Sequence, residues 1–228
     1  MIGAGGYTRW CIWEHSATVH ELYAARCRRE AEEMTCAAQA AELLADRVRP
    51  GDLVLDAGCG AGYLFHSLRD RDIPCGYRGI DASPTLIGIG RREMPAFGLP
   101  AEHLEVLRIE DLDGTADHVV CMNVLTNIDG YHRPLERLLA VAGRSLILRE
   151  SLRPGPSEYR YVRDEYLDPG VDLRVHVNAY DIDEVVAFIA ERGFRATVVT
   201  DRRTGGVPED VIGYPHHWTF VVADRETT

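Results

Sequence analysis

The stretch from Asp56 to Gly62 has the residue types and spacing of a ligand-binding turn. It reads D-A-G-C-G-A-G and joins an apolar run, residues 53–56, to a predicted helix. Glycines let the backbone turn sharply and approach a ligand closely, and the N–H groups at a helix start are free to bind it. A dinucleotide fingerprint would need its third glycine at position 63, where Tyr63 stands. The spacing therefore departs from the dinucleotide pattern.

A second acidic residue, Asp81, ends the next predicted strand, 81 − 56 = 25 residues after Asp56. An ionised carboxylate only accepts hydrogen bonds, so at this place it can accept both hydroxyls of a ribose. Asp81 is thus a candidate ribose ligand.

With these residues the chain resembles the class I S-adenosylmethionine-dependent methyltransferases of the small-molecule type. Four segments match in the family's order: 54–62, 79–84, 117–125 with 144–148, and 191–194. The resemblance covers roughly residues 40–150 and 179–228. Each motif alone is common, but four in the right order are specific. The resemblance implies an enzyme whose cofactor is S-adenosyl-L-methionine.

The resemblance also implies where the cofactor binds. The turn with Gly58, Cys59, Gly60 and Gly62 would hold the methionine part, and Asp56 would reach its ammonium group directly or through water.

The remaining cofactor contacts lie on three later loops. Asp81 and Ala82 would bind the ribose, and Met122 and Asn123 would lie near the sulfonium. For the adenine the resemblance implies an acid after the third strand, but Arg108 holds the position where the family often has Asp. Glu110 or Asp111 would serve instead, unless they form an exposed acidic turn.

Histidines on the loops at the carboxyl ends of the strands are the candidate general bases. Ligands of open parallel sheets bind at these ends, which predicts that the substrate meets residues 123–132 and 151–178. The resemblance adds residues 201–217, because the family's seventh strand runs antiparallel and brings the loop before it to the same face. A general base helps where the methyl acceptor is a hydroxyl, and histidine suits that role at neutral pH. His217 or His216 is the first candidate, and His132 and His15 come next. For each one, a solvated or packing role is the alternative.

Aromatic residues of the same loops and of the N-terminal region are candidates for substrate binding. Trp10 and Trp13 would wall an aromatic pocket or pack in a lid. The full set is Trp10, Trp13, Tyr131, Tyr166 and Tyr214. Tyr166 belongs to a second group that would cap the site or form a homodimer contact: Tyr159, Tyr161, Tyr166 and His176.

The histidines favour a hydroxyl acceptor on a small molecule over an amine. Two alternatives stay open: an S-adenosylmethionine-binding enzyme of another reaction type, such as a cyclisation, and a non-catalytic binding protein. We expect no metal ion, because Asp129 is the one carboxylate near the exit of the fourth strand, beside Asn123 and Asn127.

The elements that must position these residues alternate between strand and helix. From residue 53 onwards this alternation predicts an α/β fold with a mostly parallel sheet of seven strands. The resemblance implies that the sheet is Rossmann-like and that its last strand runs antiparallel. Residues 1–45 are predicted to form a helical lid, with Thr35 capping its second helix, and residues 46–228 the methyltransferase core. A cap insertion is predicted at 151–178, where apolar and polar residues alternate after an Asp168-Pro169-Gly170 turn.

The amino-acid composition limits the classes of partner and of chemistry that the chain can have. The 228 residues carry 36 acidic and 25 basic side chains, a net charge of −11, and all the basic ones are Arg. This charge disfavours nucleic acid and anionic membranes as partners, and the lack of Lys excludes Schiff-base chemistry on lysine. The six cysteines show no paired or metal-ligand spacing, and no apolar run approaches the length of a membrane span. We therefore expect a cytoplasmic protein with free thiols.

Overall fold

A seven-stranded sheet forms the central layer of the fold in the computed structural model, which describes residues 11–226. Its strands are β1 (Leu53–Ala57), β2 (Gly76–Asp81), β3 (Leu104–Val106), β4 (Ala116–Met122), β5 (Ala142–Arg153), β9 (Phe194–Thr200) and β12 (Trp218–Arg225). Shorter strands are β6 (Tyr161–Asp164), β7 (Leu173–His176), β8 (Tyr180–Asp181), β10 (Glu209–Val211) and β11 (Tyr214–His216). The helices are α1 (Ile12–His15), α2 (Ala17–Cys27), α3 (Thr35–Ala45), α4 (Leu64–Asp70), α5 (Pro84–Glu93), α6 (His132–Val141) and α7 (Ile182–Ala190).

The strand order is β3-β2-β1-β4-β5-β12-β9. The strands β1 to β5 pair in parallel, and β12 runs antiparallel to both β5 and β9. The predicted fold class is therefore confirmed. Strand β8, a parallel partner of the end of β5, is an addition that the sequence pattern did not predict.

Helices cover both faces of the sheet, and its central strands β1, β4 and β5 are buried over most of their length. One buried cluster joins the sheet to α2, α3, α4 and α5, and a second joins it to α6 and α7. Ser83 caps α5 through the N–H of Leu86, with Pro84 at the first helical position, as predicted.

One predicted boundary was wrong. Met34 stands at the N-cap of α3, and Thr35 is its first helical residue. Strand β3 ends at Val106, and a short 3₁₀ helix, Ile109–Asp111, follows it.

The predicted cap segment contains an antiparallel hairpin, β6–β7, with Tyr161 opposite His176. Residues 151–153 belong to β5, which is longer than the pattern indicated. The hairpin has its own small core, in which Ile12 of α1 packs on Leu173, Val175 and Val177.

The N-terminal helices are tied to both the hairpin and the core. The carboxylate of Asp168, in the hairpin turn, accepts hydrogen bonds from the hydroxyls of Ser16 and Thr18 at the start of α2. The carboxylate of Glu14 accepts from Ser83 and from Thr85, the latter at 2.6 Å. Residues 11–23 are therefore fixed across the carboxyl ends of the strands. Within residues 11–226, none of the helices has both the length and the apolar character that a membrane span requires.

Candidate active site

The glycine turn after β1 requires glycine for its backbone and for its close contacts. Gly58, Gly60 and Gly62 all have positive φ, at 77°, 57° and 85°. The N–H groups of Gly58 and Cys59 donate to the carbonyl of Ile80, which ties the turn to β2. Cys59 is buried within the turn.

Side chains from elsewhere pack directly on these glycines. A Cβ on Gly60 would clash with the ring of Tyr23 from α2, and one on Gly58 would clash with Val124 after β4. The turn is thus covered by α2 on one side and by the loop after β4 on the other.

Asp81, the last residue of β2, is held in place by backbone groups. Its two carboxylate oxygens accept from the N–H of Gly60 and of Ser83, each at 2.8 Å. Asp81 also lines a cavity at the carboxyl end of β2, which is the position expected of a ribose ligand.

Asp56 lies deeper, in β1 below the turn, and is 4% exposed. Burial raises the pKa of its carboxyl group to about 7, against the opposing effect of the Tyr77 hydroxyl, which donates to it at 2.7 Å.

Two adjoining cavities open at the carboxyl ends of the strands. The outer cavity has a volume of about 300 Å³ and the inner cavity about 340 Å³. Both are lined by the same six residues at their boundary: Gly58, Asp81, Val124, Asn127, Ile128 and Val175. Together they have the size of a site for a cofactor and a small ligand.

The outer cavity extends from Asp81 towards the 3₁₀ turn after β3. It is lined by Ala82, Arg108 and Glu110, and the last two form an ion pair at 3.1 Å. Asp111 is exposed on the same turn and lies outside the cavity lining. The hairpin also contributes to the lining, with Tyr161, Arg174 and His176, and so does Cys11 before α1.

The inner cavity lies between α2, the hairpin and the end of β4. Its wall is mainly apolar and aromatic, with polar groups at a few points. The aromatic and polar members are Trp13, Tyr23, Arg26, Tyr63, Asp81, Asn123, Asn127, Asp164, His216 and Trp218, and Met122 also lines it.

Asn123 is held in a left-handed conformation, with φ 59°, by a buried ion pair. The guanidinium of Arg149 bonds the side-chain oxygen of Asn123, donates to Asp201 at 2.7 Å, and lies over the ring of Trp218 at 4.4 Å. Burial would raise the pKa of Asp201, but the hydrogen bond and positive charge of Arg149 together with the hydrogen bonds from Thr204 outweigh it, and the pKa lies below its usual value. Positive φ at a non-glycine residue stores strain and is typical of functional sites.

Glu150, next to Arg149 in β5, organises the loop after β4. Its fully buried carboxylate accepts the N–H groups of Val124, Leu125 and Thr126 and the hydroxyl of Thr126, all within 2.9 Å. Because Val124 covers Gly58, Glu150 positions the shared boundary of the two cavities.

The four candidate histidines lie in different surroundings. His216 is buried, lines the inner cavity and packs on Trp218 with ring centres 4.7 Å apart. His217, its neighbour, lies outside the lining of both cavities, and its backbone N–H donates to the Ser151 hydroxyl at 3.0 Å. His132 stacks on Tyr131 at 4.0 Å, and His15 is exposed on α1. Of the four, the structure brings His216 to the cavities.

The candidate aromatic residues are also separated. Trp13 lines the inner cavity, whereas Tyr131 is 2% exposed in the core and packs against Tyr180. Tyr166 is 68% exposed, and Tyr214 lies under the guanidinium of Arg160. Trp10 lies outside the described residues.

Comparison with known proteins identifies the domain that contains the glycine turn. A family model described as a methyltransferase domain matches residues 55–146, from β1 to β5. Residues 55–146 are a class I methyltransferase domain. Class I methyltransferases take their methyl group from S-adenosylmethionine, which is the cofactor of this domain.

Solved structures resemble this methyltransferase over nearly its whole length. Magnesium protoporphyrin IX methyltransferase from Synechocystis PCC 6803, with bound S-adenosylmethionine, is 20% identical with a TM-score of 0.58, covering 91% of this chain and 95% of that one. The sugar N-methyltransferase KedS8 from Streptoalloteichus sp. ATCC 53650 is 15% identical with a TM-score of 0.60, covering 92% and 94%. No curated protein matches the chain in sequence.

A third similar structure is the 1,6-didemethyltoxoflavin-N1-methyltransferase from Burkholderia thailandensis, with bound 1,6-didemethyltoxoflavin and S-adenosylhomocysteine. It is 14% identical with a TM-score of 0.54, covering 93% of this chain and 92% of that one. At these identities the likeness concerns the fold.

Sequence reasoning missed several polar residues of this methyltransferase site. The sequence pattern places Arg149 and Glu150 at the end of a strand and Asp201 at the start of a loop. It does not show their hydrogen-bond partners, which lie 24 to 52 residues away along the chain. A usable signal was the adjacent Arg149-Glu150 pair at the end of an apolar strand, where charged residues are rarely buried without partners.

Proposed function

We propose that this methyltransferase transfers a methyl group from S-adenosylmethionine to a hydroxyl group of a small molecule bound in the inner cavity. The observation that carries the proposal is the shared boundary of the two cavities. Asp81, a candidate ribose ligand, lies at this boundary. The buried His216 lines the inner cavity on the same side as the ring of Trp218 against which it packs.

The residues around the cavities fit the charges of the cofactor. Asp81 and Ala82 offer acceptors to a ribose at the outer cavity, with Glu110 beside the place for the adenine. On the other side of Gly58, Arg26 lies over the rings of Tyr23 and Tyr63, with 5.3 and 5.2 Å to their centres, and provides a cation for a carboxylate.

When bound, S-adenosylmethionine supplies an activated methyl group on its sulfonium. The protein's share is to align the acceptor with that group, since an in-line displacement depends on positioning. Met122, and Asn123 held by Arg149, lie at the end of β4 where the cofactor and substrate would meet.

His216 is suited to accept the proton of the acceptor hydroxyl. Its Nδ1 lies 3.1 Å from the carbonyl oxygen of Tyr214, and because a carbonyl only accepts, Nδ1 carries the hydrogen and Nε2 is unprotonated. Burial lowers the pKa of His216, which keeps the ring neutral near pH 7. A neutral Nε2 in the inner cavity can act as a general base.

The net charge of the chain and its free cysteine thiols support the expected partners and cellular location. The net charge of −11 supports a small-molecule substrate in preference to nucleic acid. The six cysteines are free thiols, which supports a cytoplasmic location.

The test is methyl transfer from S-adenosylmethionine with a deuterated methyl group to matched panels of phenols and amines, followed by product mass. We expect methylated phenols and release of S-adenosylhomocysteine. His216→Gln should reduce kcat by about 10²–10⁴-fold, the usual share of a general base, with unchanged affinity for S-adenosylhomocysteine.

His217→Gln is the matched control, because this neighbour lies outside the lining of the inner cavity. Methylation of amines alone, or equal loss of activity in the two variants, would contradict a hydroxyl acceptor activated by His216.

A further inference from the structure

Asp164, the last residue of β6, uses one of its carboxylate oxygens to hold the hairpin turn. Oδ1 accepts the N–H groups of Tyr166 at 2.7 Å and Leu167 at 3.0 Å. This role accounts for an Asp or an Asn at position 164, since either side chain can accept hydrogen bonds from the backbone N–H groups two or three residues ahead.

The second oxygen has no such explanation. Asp164 is 3% exposed, and its Oδ2 is buried with no hydrogen-bond partner among residues 11–226. The residue lines the inner cavity, where its neighbours in the wall include Leu167, Val175 and Ile212. Leaving a buried carboxylate oxygen unpaired is unfavourable, and native structures seldom do so without a functional reason.

The arginines of the same hairpin do not neutralise this carboxylate. Arg163 and Arg174 both pair with Asp172, and Arg160 pairs with Glu158. Arg26, which also lines the inner cavity, lies over the rings of Tyr23 and Tyr63. In the described chain no basic side chain is paired with Oδ2 of Asp164.

We propose that Asp164 binds a protonated amine of the substrate through Oδ2, so that the substrate is a basic molecule whose acceptor hydroxyl lies at a distance from the amine. This inference rests on the proposed function, since it assumes that the inner cavity holds the methyl acceptor. A cation supplies both the missing hydrogen bond and the opposite charge. The ring of Trp13, which also lines the inner cavity, is a surface on which cations bind favourably.

Three phenols with the same acceptor hydroxyl test the proposal: tyramine, 4-ethylphenol and 3-(4-hydroxyphenyl)propanoate. They carry an ammonium, a neutral and a carboxylate tail of similar length. Their binding is measured by calorimetry on the full chain saturated with S-adenosylhomocysteine. We expect tyramine to bind at least about tenfold more tightly than 4-ethylphenol, and the acid to bind more weakly than either.

Asp164→Asn is the decisive variant, because Asn keeps an oxygen for the turn and replaces Oδ2 by an NH2 group. It should remove the preference for tyramine while S-adenosylhomocysteine still binds as in the wild type. Asp172→Asn, an exposed position of the same hairpin, is the matched control and should keep the preference. The proposal is overturned if tyramine does not bind, or if the preference survives in Asp164→Asn. Failure of the wild type to bind S-adenosylhomocysteine would instead refute the proposed function.

Discussion

Asp56 is a carboxylate whose ionisation is disfavoured by its place in β1. Burial raises its pKa from 3.8 to about 7, with the charge of Asp81 acting in the same direction and the bond from Tyr77 against it. Between pH 4 and 7 the native protein therefore keeps a proton on this group that the unfolded chain has lost. Because the unfolded state binds fewer protons, the free energy of unfolding falls as pH rises through this window.

We predict that Asp56→Asn removes this dependence. From pH 5 to pH 7 the wild type should lose about 2–3 kcal/mol of unfolding free energy more than the variant, at about 1.36 kcal/mol per pH unit. Urea unfolding of both proteins at the two pH values measures the difference. Parallel pH profiles for wild type and variant would show that Asp56 has an ordinary pKa.

Gly60 should not tolerate a side chain. In Gly60→Ala the new Cβ clashes with Tyr23, whose ring is itself packed on Trp13 and Tyr63, and φ is 57°. We expect affinity for S-adenosylhomocysteine to fall at least about tenfold, since even the strain of a left-handed alanine costs about 1–2 kcal/mol.

The matched control is Gly88→Ala in α5, where a Cβ would have nothing within 4 Å. It should leave cofactor affinity unchanged and stabilise the helix by up to about 1 kcal/mol. Calorimetry with S-adenosylhomocysteine compares the two variants. Unaltered binding by Gly60→Ala would show that α2 does not pack on the turn in solution.

The sequence predicted the residues that depend on local chain geometry better than those that depend on distant partners. The glycine turn and Asp81 stand out because their conformation and position follow from a strand, a turn and a helix start. The unusual state of Asn123 and the placement of Asp164 depend on contacts that β5, β9 and the hairpin make only after folding. Among four candidate histidines, spacing alone could not distinguish His216 from His217.

At the scale of elements, the link between α2 and the hairpin turn closes the inner cavity. Asp168 is its centre, since its carboxylate binds both Ser16 and Thr18 at the start of α2. The link joins residues about 150 positions apart, so its loss should loosen the N-terminal segment without unfolding the sheet.

We predict that Asp168→Ala increases hydrogen exchange of the α2 amides about fivefold, which corresponds to a loss of about 1 kcal/mol of local stability. Mass spectrometry of peptides from residues 17–27 measures the exchange. Release of S-adenosylhomocysteine should be faster as well. Asp172→Ala on the same hairpin is the control, and equal exchange in the two variants would contradict a closing role for Asp168.

The repeated strand and helix units were predictable because each carries its own period and cap, as at Ser83 and Pro84. The elements of the cap were less predictable from the sequence. Strand β8 has two residues and pairs only with the extension of β5, and that extension is stabilised by its partner β12. Such pairings depend on neighbours that no local pattern contains.

At the scale of the whole molecule, four parts of the chain meet around the two cavities. These are the N-terminal segment, the parallel strand ends, the hairpin, and the β10–β11 region, which contributes Val211, Ile212 and His216. The sheet provides the rigid part, and the other segments enclose it. A ligand that spans both cavities would therefore contact the lid, the core and the cap at once.

The central claim is that this site binds S-adenosylmethionine through the glycine turn and Asp81. Calorimetric titration of the purified protein with S-adenosylhomocysteine tests it most directly, with NADH as the comparison ligand and Asp81→Ala as the variant. We expect binding of S-adenosylhomocysteine by the wild type, none of NADH, and loss of binding in a variant whose circular dichroism shows an intact fold. Absence of binding by the wild type, or binding of NADH in its place, would contradict the account.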